Sequence, residues 1–178
     1  MLQSSRLILR ALRSSDLNET YLGWLNDPIV NRYMETRFVP QTAESLQAYW
    51  QTHRDDPAMP WFAICLIKEE RHIGNIKLGP IHRQHRHADL SLFIGDSSCW
   101  GMGYATEAIA LVRDWAFREL DLQKLNAGIY AKNLSSRRAF EKCGFELEGT
   151  LRQEVVSGGD RLDVWRFGLP RSHWSFDS

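Results

Sequence analysis

The chain has 178 residues, 43% hydrophobic and 25% charged, enough for one globular domain with a sizeable core. Lysine plus arginine and aspartate plus glutamate stand at 22 each, so the formal net charge is zero and the basic excess of a nucleic-acid binder is missing. The N-terminus lacks the apolar core of a signal peptide, no apolar run approaches ~20 residues, and Cys65, Cys99 and Cys143 are widely spaced, which together predict a cytoplasmic protein with no membrane span and with reduced, buried thiols.

Residues 6–12 alternate apolar with charged side chains and predict a half-buried first strand. Ser14-Ser15-Asp16 offers an N-cap to a helix carrying Leu17, Tyr21, Leu22, Trp24 and Leu25, which Asn26-Asp27-Pro28 ends. A short helical piece over 29–34 leads through Glu35-Thr36-Arg37-Phe38 to Pro40. Thr42 then opens a helix through residues 45–50 that stops near Asp55-Asp56-Pro57. The aromatics Trp24, Tyr33, Phe38, Tyr49 and Trp50 read either as core packing of short helices or as the lining of a cleft in which Glu35 and Arg37 select charge.

Residues 61–68 and 72–78 are two strands joined by Glu69-Glu70-Arg71, a hairpin by spacing. His82, His85 and His87 follow in a polar connection, but arginines stand between them and no carboxylate interleaves, so no metal site is expected. Residues 89–117 then read as a strand, a glycine-bearing turn and an amphipathic helix with Ala105, Ala108, Ile109, Val112 and Ala116 on its apolar face. A turn at a helix N-terminus presents unpaired N–H groups and the positive end of the macrodipole, which favours an anion such as a pyrophosphate. Gly101 and Gly103 allow φ > 0 and close approach of a phosphate, although neither a Walker loop nor a three-glycine dinucleotide fingerprint fits.

The stretch Trp100-Gly101-Met102-Gly103-Tyr104-Ala105-Thr106-Glu107-Ala108 resembles the acyl-CoA-binding motif of the GNAT N-acetyltransferases. The resemblance covers nearly the whole chain. Within the superfamily it is most similar to the RimJ/RimL-like branch, to whose pattern Leu7-Ile8-Leu9-Arg10 and Trp24-Leu25-Asn26-Asp27-Pro28 also conform. The superfamily's usual Gln or Arg three residues before the first glycine is Ser98 here, which leaves phosphate contacts to backbone N–H groups. Farther on, residues 124–131 read as a strand, Asn133 caps a helix and Gly144 supplies its left-handed stop. Asn133, Ser136, Phe140 and Lys142-Cys143-Gly144-Phe145 resemble a second GNAT signature. Residues 146–156 and 161–169 form a closing hairpin around Ser157-Gly158-Gly159-Asp160, and the tail from Pro170 is expected to fray.

Elements and resemblance together imply a single α/β (α+β) domain with a mixed, mostly antiparallel sheet of about seven strands and helices on both faces. Residues 1–60 would supply the first strand and acceptor-side helices, 61–145 the acetyl-CoA-binding core, and 146–169 the closing hairpin. The resemblance implies acetyl transfer from acetyl-CoA to a primary amine by direct attack in a ternary complex, without a metal. A protein N-terminal amine is one acceptor; an amino sugar, aminoglycoside or polyamine is the alternative, and a non-catalytic acyl-CoA binder is a reading of another class. The pantetheine arm would add alongside residues 89–95, with a thioester carbonyl facing the N–H of Phe93 or Ile94.

The same resemblance assigns cofactor contacts to Trp100, Gly101, Met102, Gly103, Tyr104, Ala105 and Thr106, with Asn133, Ser136 and Phe140 completing the set. Ser136 is the candidate acid for the departing thiolate, because Phe140 stands where many members carry a tyrosine; Tyr104 and Tyr130 are fallbacks. Asp89 and Glu154 are candidate bases for the acceptor ammonium. Counting places the branch's late-strand glutamate at Val155, so Glu154 needs a bulge to serve. Glu107 suits the helix dipole better than catalysis. Glu35, Arg37 and Phe38 are the candidate acceptor residues, and aromatics in the last strand allow a homodimer as well as a monomer.

Overall fold

Strand alternation in the sequence becomes one eight-stranded sheet made of β1 (Leu2–Gln3), β2 (Leu7–Ala11), β3 (Trp61–Leu66), β4 (His72–Leu78), β5 (His87–Ile94), β6 (Lys124–Tyr130), β7 (Glu146–Ser157) and β8 (Asp160–Pro170). The coordinates are a computed structural model that describes residues 1–175. The spatial order is β1-β2-β3-β4-β5-β6-β8-β7. Every neighbouring pair is antiparallel except β5 with β6, which is parallel and pairs only from His87–Lys124 to Asp89–Asn126. Both strands run on past that point, so the sheet opens between them.

Helices cover both faces. On one lies α3 (Tyr104–Arg118), whose Ala108, Ile109, Val112, Ala116 and Phe117 are fully buried against Leu7, Ile64, Ile76, Leu125 and Phe167, with α4 (Leu134–Lys142) beside it. On the other, α1 (Glu19–Asn26) and α2 (Ala43–His53) bury Tyr21, Leu25, Leu46 and Trp50 against Ala63 and Cys65. Each fully buried valine, leucine, isoleucine or phenylalanine among them contributes roughly 1.5–3 kcal/mol. The Trp50 indole N–H donates to the Leu12 carbonyl at 3.0 Å, so its polar edge is satisfied too.

The structure departs from the sequence expectations in five places. The eighth strand is β1, two residues held against β2. Asp16 does not cap α1: its carboxylate accepts two bonds from Arg10, at 2.6 and 2.7 Å, and one from the Arg13 N–H at 2.7 Å, so the helix starts later, with Asn18 accepting from the Tyr21 N–H. Residues 29–34 form turns instead of a helix, because Ile29 has no surface to pack on and Asn31 folds inward to the Leu25 carbonyl. The tail does not fray before Trp174, whose indole N–H donates to Asp114 at 2.9 Å while the ring packs on Phe117. Finally, the last-strand aromatics are not a free surface, since Phe167 is 1% exposed and Trp165 lies half-buried under Arg137. Among the described residues no helix is long and apolar enough to cross a membrane.

Candidate functional site

The turn between β5 and α3 leaves its backbone amides open. A single 3-10 turn, Ser97–Cys99, is capped by Asp96, which accepts from the Ser98 N–H and hydroxyl at 3.0 and 2.6 Å. Trp100 then folds back and donates its indole N–H to the Ile94 carbonyl at 2.8 Å. Gly101 at φ +74° and Gly103 at φ +82° occupy left-handed backbone that side chains rarely adopt, and Gly103 is the N-cap of α3. No side chain among the described residues caps this helix. Among the described residues, no backbone N–H from Gly101 to Thr106 has an acceptor. Unpaired amides at the start of a 15-residue helix carry a partial positive charge of the kind that favours an anion.

The adjoining edge of β5 is open in register. Gly79 N–H donates to the Asp89 carbonyl at 2.7 Å and Gly95 N–H to that of Ile73 at 2.8 Å, with unbroken pairing between them. In an antiparallel pair only alternate residues bond across to a given neighbour. Asp89, Ser91 and Phe93 therefore spend their backbone groups on β4, while Leu90, Leu92 and Ile94 aim theirs toward β6; the parallel pairing that ends at Asp89–Asn126 takes the Leu90 N–H and Trp100 takes the Ile94 carbonyl, which leaves the Leu90 carbonyl, both Leu92 groups and the Ile94 N–H on the gap. Of the two N–H groups expected to meet a carbonyl, that of Ile94 lies on the open edge and that of Phe93 does not. The Phe93 ring points to the other face, stacked on Tyr21 at 6.1 Å and edge-on to Trp24 at 6.5 Å.

On the α4 side, Asn133 accepts from the Ser136 N–H at 3.3 Å and the Ser135 hydroxyl at 3.0 Å. The Ser136 hydroxyl makes no bond to its own backbone and has no protein partner among the described residues. Phe140 is 2% exposed and edge-on to Phe145, a wall of the core. Cys143 donates its thiol to the Thr106 carbonyl at 3.3 Å, tying α4 to the first turn of α3; burial pushes that thiol up to about 11.

Glu35, Arg37 and Phe38 come together around Tyr130, the last residue of β6. The Tyr130 hydroxyl donates to the Glu35 carboxylate and accepts from Arg37 at 3.1 Å, while Arg37 also donates to the carbonyls of Met34 and Val156, each at 2.5 Å. Its guanidinium lies 4.1 Å from the Phe38 ring. A cavity of about 770 Å³ adjoins this cluster, lined by Arg32, Arg37, Phe38, Val39, Val156 and Gly158 among others. Burial, with Glu35 acting in the same direction, raises the Tyr130 phenol above its ordinary value.

The two candidate bases fare differently. Asp89 is paired with Arg166 at 3.2 Å, a partner that sequence spacing does not reveal. A bulge does interrupt β7: four steps from Leu151 to Val155 answer two steps of β8 from Val164 to Leu162. Gln153 takes the left-handed backbone there, at φ +51°, and donates its N–H to Asp163 at 2.8 Å. The bulge leaves Glu154 exposed and unpartnered among the described residues, and puts Val155 on the face that Tyr130 occupies. His82, His85 and His87 stack, with His82 and His87 centroids 4.9 Å apart, and among the described residues no three His, Cys, Asp or Glu side chains are arranged to hold a metal.

A profile for the acetyltransferase (GNAT) domain matches residues 6–146. The chain belongs to the GNAT acetyltransferase family. GNAT relatives include the uncharacterized N-acetyltransferase YoaA of Bacillus subtilis, 28% identical over 92% of this chain and 93% of that protein. The spermidine N(1)-acetyltransferase of Vibrio cholerae is 28% identical over 96% of both chains. A crystal structure of the Vibrio cholerae spermidine N-acetyltransferase in complex with CoA and spermine superposes with a TM-score of 0.86 at 27% identity, covering 96% of this chain and 98% of that one. A GNAT acetyltransferase from Bacillus anthracis shares the fold at TM-score 0.83 and 21% identity, over 97% of this chain and 99% of its own.

Proposed function

We propose that this chain is an acetyl-CoA-dependent N-acetyltransferase whose acceptor is a small primary amine of the polyamine class. The observation that carries the donor half is the run of acceptor-free N–H groups from Gly101 to Thr106, continuous with the open edge of β5. Coenzyme A fits both, its diphosphate on the turn and its pantetheine amides beside the Leu90 carbonyl, the two backbone groups of Leu92 and the Ile94 N–H, as an added strand would sit. An acetyl thioester supplies an activated acyl group when bound. The Ile94 N–H is the preorganised donor for a developing oxyanion, an interaction worth about 3 kcal/mol in acyl-transfer sites.

Proton handling falls to side chains already placed. Ser136 offers a free hydroxyl on the first turn of α4 for the departing thiolate. Glu35 presents a carboxylate, steadied by Tyr130, to attract the acceptor's ammonium and to take its proton directly or through one water. Asp89 and Glu154 remain the alternative bases, the first engaged by Arg166 at 3.2 Å, closer than the 3.8 Å that separates Glu35 from Arg37. The acceptor half is supported by the spermidine acetyltransferases among the relatives and by the exposed Glu35 beside a cavity of about 770 Å³. Membership of the RimJ/RimL-like branch and a cytoplasmic location belong to the same proposal, resting on the 7–10 and 24–28 motifs and on three unpaired thiols.

Thiol release from acetyl-CoA across a panel of amines tests the reading. Spermidine and spermine are expected to turn over, and an amino sugar, an aminoglycoside and a peptide with a free N-terminus to lag far behind. Turnover confined to the peptide would move the acceptor to a protein N-terminus. Coenzyme A binding with no turnover on any amine would leave a non-catalytic acyl-CoA-binding protein.

A further inference from the structure

We infer that Arg6, in the turn entering β2, is a positioning residue for the diphosphate of the acyl donor, acting through Glu107 and the Met102 carbonyl; the inference rests on the coenzyme A reading above. Glu107 lies in the first turn of α3. A carboxylate there suits an isolated helix, because it meets the positive end of the dipole. It is adverse once the same N–H groups must receive a diphosphate, because two anions then share one field.

The N-terminal turn removes that conflict. Arg6 Nε donates to Glu107 Oε2 at 2.7 Å and Nη2 joins it on the same oxygen. The Arg6 main-chain N–H reaches Oε1 at 3.3 Å, and the Ser4 hydroxyl donates to that oxygen as well. Both carboxylate oxygens are thus held toward the β1–β2 turn and neutralised there. Arg6 Nη1 meanwhile donates to the Met102 carbonyl at 3.0 Å. The peptide between Met102 and Gly103 is planar, so drawing its carbonyl toward Arg6 turns the Gly103 N–H the opposite way, out of the clamp and toward the ligand side. The guanidinium rests 4.6 Å from the centre of the Tyr104 ring, the first residue of the helix, which fixes its plane. Nearly half of the Arg6 side chain stays exposed, so its charge reaches the loop as well as Glu107.

The experiment compares the parent protein with Arg6→Ala, Arg6→Gln, Glu107→Gln and the double variant Arg6→Ala/Glu107→Gln. Calorimetry reads coenzyme A affinity, and steady-state kinetics read acetyl-CoA against acetyl-pantetheine, a donor without a diphosphate. Arg6→Ala and the closer-sized Arg6→Gln are each expected to weaken coenzyme A about tenfold and to raise the KM for acetyl-CoA in step, with kcat within about threefold. Acetyl-pantetheine is expected to lose no more than about twofold in kcat/KM. Adding Glu107→Gln to Arg6→Ala removes the uncompensated carboxylate and is expected to restore affinity to within about threefold of the parent.

A merely structural staple would depress both donors alike and would not be rescued by a second cut at Glu107. Parent-like affinity in Arg6→Gln, equal losses on both donors, or a double variant as weak as the single one each overturns the inference. Arg6→Gln keeps the stem and an amide, so it carries the test if the alanine variant fails to fold. Failure of the parent to bind coenzyme A would be a different result, one that removes the transferase reading itself.

Discussion

Tyr130 holds its hydroxyl between a carboxylate and a guanidinium, and that single oxygen organises Glu35 and Arg37. Burial and the Glu35 charge both oppose ionisation, so the phenol stays protonated and donating throughout the neutral range. Tyr130→Phe is expected to raise the amine KM about tenfold, the cost of a hydrogen bond to a charged group, with kcat changed less than about threefold. Initial rates over an amine titration check this, and an unchanged KM would detach Glu35 from acceptor binding. The pH profile of the parent should show no tyrosine limb below pH 10. Asp16 carries a structural charge instead. Burial alone would raise its pKa, but the Arg10 fork and the Arg13 N–H outweigh that and lower it. A depressed carboxylate contributes stability that is full above the ordinary value near pH 4 and is lost as pH falls through the folded value. Asp16→Ala is expected to cost about 3 kcal/mol in urea unfolding at pH 7, the bottom of the range for breaking a buried pair because some of Arg10 meets water. The variant's stability should also fall less steeply than the parent's on acidification.

At the scale of elements, the strand–turn–helix around 100–108 was legible because each of its signals is local: period two, then glycines with φ > 0, then period 3.6. The caps at Thr42 and Asn133 and the stop at Gly144 were legible for the same reason. What stayed hidden depended on distant partners. Asp16 and Asn18 are both competent caps, and only Arg10, six residues back, decides between them. The face of β5 that carries free N–H groups follows from its register with β4, and the β7 bulge follows from Asp163 receiving the Gln153 N–H. Arg6 is by pattern the polar side of a half-buried strand, and its partner Glu107 lies 101 residues away, beyond the reach of any local signal. Gly95 shows how tightly such elements are joined. A Cβ there would stand 2.1 Å from the Trp24 ring, so α1 packs directly on the end of β5. Gly95→Ala is expected to destabilise by about 2 kcal/mol through overpacking, with a shift in tryptophan emission as Trp24 is displaced. A parent-like urea midpoint would show that α1 yields freely at this contact.

The whole molecule decides how the acyl group travels. The sheet opens between β5 and β6, the amide-rich turn following the one strand and Tyr130 ending the other, so the proposed donor and acceptor sites flank that opening. A route through a cysteine acyl-enzyme would need a thiolate within that gap. All three cysteines are free but buried, at 2–5% exposure, and burial raises each thiol above its ordinary value, Cys143 to about 11. Thiol, not thiolate, is then the standing form at neutral pH, and Cys143 is further committed to the Thr106 carbonyl. Direct attack needs no such relay, since proximity of two bound reactants replaces it. The expected kinetics are intersecting lines when amine and acetyl-CoA are varied together, and intact-mass spectra of the protein mixed with acetyl-CoA alone should carry no acetyl adduct. Parallel lines, or an adduct that an added amine discharges, would place a covalent intermediate on the path and force one of the buried thiols, or Ser136, into the role of nucleophile.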